Sequence, residues 1–102
     1  MTARLLSKVL LKLIHLEWKD KLIVNIGPSD AITVKKIVSI LKEISCVDFE
    51  ARYDSKEAGW PGDVPNYLLD TRLLHTFMPE LNIPGSEEAV TESIAYQWNN
   101  AL

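Results

Sequence analysis

A single cysteine, Cys46, excludes an intramolecular disulfide, and with no signal-peptide pattern a reducing, cytoplasmic setting is the expectation. Excess charge is small. The formal net charge of −3 gives no global attraction to nucleic acid or to an anionic membrane, so neither is an expected partner. The two histidines, His15 and His75, lie far apart, and neither has a cysteine or acidic residue at metal-ligand spacing, so no metal site is expected. The four glycines, at 27, 59, 62 and 85, are too scattered to cradle a pyrophosphate. No P-loop, G-x-G-x-x-G or G-x-S-x-G run occurs. The first apolar run, LLSKVLLKLIHL, is broken by Lys8, Lys12 and His15 and falls short of the ~20 residues a membrane-spanning helix needs. Cys46 follows a helical pattern and precedes an apolar one, which places it as a buried side chain and not a nucleophile.

What the chain does have is a steady change of hydrophobic period. Its 102 residues suit one domain or a piece of one. A chain of this size buries roughly 60–70% of its unfolded surface, enough for one modest core. Arg4, Lys8, Lys12, His15 and Lys19 recur at helical steps and form one basic face, with leucines, Val9 and Ile14 around the rest, predicting a helix over 5–17. Leu22 to Ile26 is a short β-branched run that reads as a largely buried strand, ended by Gly27 and Pro28. Thr33 is placed to cap a helix carrying Val34, Ile37, Val38, Leu41 and Ile44 on one face. Then VDFEARY alternates strictly, as a strand with one wet face does. A strand, a helix and a second strand predict a crossover and a parallel pair.

The segment AGWPGDVPNYLLD, residues 58–70, is the least regular and the most constrained. Trp60 stands between Gly59 and Pro61, and Gly62 and Asp63 follow. Glycine permits positive φ and proline locks φ, so this loop is either a tight corner or a preformed ligand contact. As a corner, Trp60 fills the bottom of a sheet and Asp63 closes its own turn. After it, NYLLD is another short extended stretch. Asp70 caps the helix TRLLHTFM, which Pro79 stops, and Ser86 caps a last helix with Glu87 and Glu88 in its first turn. The expected class is therefore α/β: a small mixed or parallel sheet of two to three short strands packed with about four helices, all in one unit spanning 1–102.

The order VNIGPSDAITVKKIVSIL, then AGWPGDVPNYLLDTRLL, then PELNIPGSEEAVTESIAYQW resembles the C-terminal part of extended short-chain dehydrogenases, the NAD-dependent epimerases and dehydratases of nucleotide sugars. The resemblance runs from about residue 5 to residue 98. It lies in the Asn25-x-Gly27 turn, the Gly62-Asp63-Val64 loop and the helix capped by Asp70. It implies a substrate-binding portion resembling that of UDP-glucose 4-epimerase, lacking the N-terminal Rossmann half that binds NAD, so that no cofactor is expected in this chain itself. On this resemblance the substrate contacts are Asp63, accepting from ribose hydroxyls, with Gly62 and Trp60 beside it and Asn25 at the turn. Ala58 and Trp60 stand where relatives carry an arginine, which leaves Arg52 or Lys56 to meet the diphosphate.

The family's proton and hydride chemistry uses a tyrosine-x-x-x-lysine pair. Here Tyr53 is followed by a lysine one step too early, at Lys56, and Tyr67 and Tyr96 have none at that spacing. No catalytic residue is therefore assigned, and the chain alone is not expected to turn over substrate. The expected partners are a nucleotide sugar and either the Rossmann half or a second copy, covering an apolar surface. The alternative is a noncatalytic protein-interaction module that keeps the fold. Neither the sugar, the nucleotide nor the reaction type can be read from these residues.

Overall fold

The computed structural model describes residues 1–54 and 67–101. The described residues form four helices: α1 (Ala3–Ile14), α2 (Val34–Ser45), α3 (Arg72–Phe77) and α4 (Ser86–Asn100). None of them lies in a strand.

Three helix starts follow from local chemistry. The Thr2 hydroxyl accepts the Leu5 amide at 3.3 Å, and the Thr33 hydroxyl accepts the Lys36 amide at 3.2 Å. Each satisfies an amide that has no partner within its helix. The Asp70 carboxylate accepts the Arg72 amide at 3.1 Å at the start of α3. At α4 the expectation needs correction. Gly85 is the cap position and Ser86 the first helical residue. The capping carboxylate comes from Asp30, whose Oδ1 accepts the Ser86 amide at 2.8 Å, while the Ser86 hydroxyl donates to the Asp30 carbonyl at 3.0 Å. A side chain 56 residues away thus does the work assigned to a local serine.

Helix α1 also ends earlier than its periodicity predicts, at Ile14 in place of residue 17. The His15 amide turns back to the Lys12 and Leu13 carbonyls, and its Nδ1 hydrogen-bonds the Leu11 carbonyl at 2.6 Å. Helix α2 ends at Cys46 in the left-handed region, φ 54°, with its amide on the Lys42 carbonyl at 3.0 Å. Cys46 is exposed, which corrects the expectation of a buried thiol. A residue at a helix end with positive φ turns the chain outward, and the apolar residue after it, Val47, is exposed too.

The central cluster joins α1 to α3. Val9, Leu13, Leu74 and Met78 are buried, and Leu22, Val24, Ile26, Phe77, Leu81 and Ile83 pack around them. Burying side chains of this size contributes about 1.5–3 kcal/mol each. Helices α2 and α4 pack on each other as a second unit, with Ile40 and Ala89 buried and a Lys36–Glu87 ion pair at 3.1 Å. The chain crosses between the units through residues 27–33 and 83–85, and Asp30–Ser86 pins these two crossings together.

The expected α/β class, with its sheet of two to three strands and its parallel pair joined by a helix, is overturned. Residues 22–26 do alternate: Leu22, Val24 and Ile26 are half-buried on the core, while Ile23 is 70% exposed and Asn25 faces out. That makes the segment packed on one side only, not a largely buried strand. Residues 47–53 do not pair with it. They lie along α2, held by Lys42 over the Phe49 ring at 5.0 Å and Lys35 over the Tyr53 ring at 5.6 Å. The neighbour of 22–27 is instead 69–70, through Asn25–Asp70 and Gly27–Leu69 contacts. A period of two reports which side chains face the core. It does not report whether the backbone has found a ladder partner.

The molecule is open for its size. Its accessible surface is 8493 Å², where a compact monomer of this mass exposes about 5800 Å². Its radius of gyration is 17.1 Å, against about 13 Å for a compact domain of this length. Among the described residues no helix is long and apolar enough to cross a membrane.

Candidate functional site

The Asn25-x-Gly27 turn and the outgoing end of the Gly-Pro-rich segment come together in space. The Asn25 amide donates to the Asp70 carbonyl at 3.1 Å, joining positions 45 residues apart. Gly27 lies so close to Leu69 that a Cβ there would stand 3.3 Å from Leu69 Cδ1. The Asp70 carboxylate is committed to its own helix start. It takes the Arg72 amide and, through both oxygens, the Arg72 guanidinium, with Nε at 3.0 Å from each. Those hydrogen bonds, the guanidinium's first, hold the Asp70 carboxyl down to about 2.

Beside this junction is a cavity of about 310 Å³, at the lower end of the range for small-ligand sites. Ile26, Gly27, Pro28, Asp30 and Ala31 form one wall, Tyr67, Leu68 and Leu69 the other, with Met1 and Ser86 at its ends. Among its lining residues Asp30, Ser86 and Tyr67 carry polar side chains. The Ser86 amide and then its hydroxyl keep the Asp30 carboxyl below the usual carboxylate range, and the Met1 ammonium adds to this. Asp30 is therefore an anionic acceptor at neutral pH, held in place by its bond to α4. A fixed carboxylate beside an exposed aromatic ring and a close-lying glycine backbone suits a hydroxylated ring ligand such as a ribose.

The residues expected to contact substrate are only partly gathered here. Asn25 belongs to the junction, where one N–H of its amide goes to the Asp70 carbonyl. Arg52 lies elsewhere, on the segment running along α2, and pairs with Glu50 at 3.5 Å with its side chain 86% exposed. No hydrogen bond, ion pair or shared cavity joins it to Asn25 among the described residues. Trp60, Gly62 and Asp63, with Lys56, lie outside the described residues. Sequence reasoning passed over Asp30 and Tyr67. Asp30 had a signal, a short acidic side chain in the turn before α2, but its partner 56 residues on did not. Among the described residues no group of three or more His, Cys, Asp or Glu side chains is arranged to hold a metal ion.

Comparison with protein-family models, with curated proteins and with solved structures gives no match to this chain.

Proposed function

We propose that this chain is the substrate-side portion of an NAD-dependent nucleotide-sugar epimerase or dehydratase of the extended short-chain dehydrogenase type. Another polypeptide body supplies the dinucleotide site and the proton-moving tyrosine and lysine. On this reading the chain contributes a pocket wall that includes Asp30 and Tyr67, with Asp63 the residue that accepts from the ribose. The reading takes over the site and not a sheet within this chain.

One observation carries it beyond the resemblance. Leu11, Ile14, Ile23, Tyr67 and Leu68 are each 59–73% exposed, an apolar area that water covers at a cost and that a packed body removes. Tyr67 and Leu68 line the candidate site, so a body that covers them closes over it. Such closure is how an active site sheds water and brings a second set of groups to the substrate.

The test is titration of UDP-glucose into the chain with tryptophan fluorescence as the readout, beside the variant Asp63→Ala. Saturable quenching in the wild type is expected, with Asp63→Ala weaker by ~1–3 kcal/mol, the scale of a charged hydrogen bond. No fluorescence change at millimolar ligand counts against the reading, and equal affinity of the two proteins removes Asp63 from it.

A further inference from the structure

We infer that Asn25 is a positioning residue: it fixes the Tyr67–Asp70 wall of the cavity against the 26–30 turn. The inference deepens the proposed function and rests on that reading for the identity of the ligand.

Four observations lead to it. Residues 67–70 are exposed along their whole length, so burial does not hold them. The Asp70 carboxylate is saturated by Arg72 and secures α3, not the cavity. Gly27 leaves Leu69 room to approach but supplies no bond of its own. Among the described residues, what remains to tie 67–70 to 22–27 is one side-chain hydrogen bond, Asn25 Nδ2–H to the Asp70 carbonyl at 3.1 Å. The bond needs a donor of asparagine's length. An aspartate at 25 is the same size but offers only acceptors, and its charge faces a carbonyl oxygen. Asn25 thus bears on a ligand through where it places Tyr67, with one N–H and its Oδ1 left over from the bond to Asp70.

The experiment uses the whole chain and three variants: Asn25→Ala, Asn25→Asp and, as a control for general loss of stability, Thr33→Ala. Hydrogen exchange at the Arg72 amide is measured without ligand, and UDP-glucose affinity is measured by titration. Both Asn25 variants should exchange about tenfold faster at Arg72, since losing one hydrogen bond of about 1.4 kcal/mol has that effect, and should bind no more than about twofold more weakly, because the closed wall stays the major state. Thr33→Ala should match the wild type in both. Unchanged Arg72 exchange in Asn25→Ala and Asn25→Asp overturns the inference. So does an equal rise in Arg72 exchange in Thr33→Ala. If the wild type binds no UDP-glucose, the proposed function fails by that result alone, and the exchange arm still decides whether Asn25 holds the wall. Should Asn25→Ala lose helical circular dichroism, Asn25→Asp gives the decisive comparison, because it keeps volume and removes only the donor.

Discussion

At the scale of single residues, two carboxylates stand at helix starts, and both are held in the ionised form. Asp70 is held at about 2, by Arg72, and Asp30 is lowered by Ser86. A carboxyl whose folded-state pKa lies below its ordinary value stabilises the fold above that ordinary value, near 3.9 for aspartate. The contribution fades as pH falls through the folded value. For Asp70 the window runs from about pH 4 down to about pH 2. Acid should therefore loosen the start of α3 across that range, seen as rising exchange at the Arg72 amide and as titration of the Asp70 carboxyl by NMR. In Asp70→Asn the α3 amides should lose this pH dependence; an unaltered profile would remove Asp70 as its source. Legibility was uneven at this scale. Thr33 as a cap could be read from sequence because a cap acts within three residues, whereas the cap position of α3 is Thr71 and the Asp70 carboxylate reaches the Arg72 amide from one residue before it. Asp30 on Ser86 could not, because nothing local marks a bond spanning 56 residues.

At the scale of elements, the helices carry the order and the intervening segments carry the surprises. Helix α2 starts on one hydroxyl–amide bond, so Thr33→Ala should lower stability to urea by about 1 kcal/mol, with the melting of α2 followed by circular dichroism. Helix α4 starts against Asp30 with no space to spare. A Cβ at Gly85 would stand 3.2 Å from Asp30 Oδ2, and that carboxylate is already fixed through its other oxygen to Ser86. Gly85→Ala should therefore displace Asp30 and speed exchange at the Ser86 amide; wild-type exchange there would show that Asp30 yields at no cost. The three segments read as strands show where pattern stops short. Residues 22–26 keep the alternation in their burial, and 47–53 keep part of it, yet neither pairs with the other. Lys35 and Lys42 reach over Tyr53 and Phe49 and hold the second segment on α2, a side-chain arrangement that alternation does not encode.

At the scale of the whole molecule, two small packing units share a narrow join, and much apolar surface is left outside both. Helix α1 is apolar over most of its circumference, but only Val9 and Leu13 are buried, while Leu10, Leu11 and Ile14 stay in water. The same excess is seen in the large accessible surface and long radius of gyration. The isolated chain should therefore self-associate, with its weight-average mass in sedimentation equilibrium rising across the micromolar range. A double variant, Leu11→Glu with Ile14→Glu, should stay monomeric while keeping its far-ultraviolet circular dichroism. A wild type that remains monomeric throughout would contradict the covering role given to this face.

The helices and the Thr33 cap were settled by the sequence itself, since a helix satisfies its own backbone and its signals lie within a turn or two of each other. Spacing marked the apolar faces of the helices, but not that Ile40 is the buried residue of α2 while Val34 is 67% exposed. Only the tertiary structure decided that the alternating segments form no sheet, that Asp30 and not Ser86 supplies the cap for α4, and that Asn25 bonds the Asp70 carbonyl. Each of these depends on which distant backbone or side chain arrives alongside. Such arrivals follow from how helices and connections pack in three dimensions, which no local pattern of polar and apolar residues specifies.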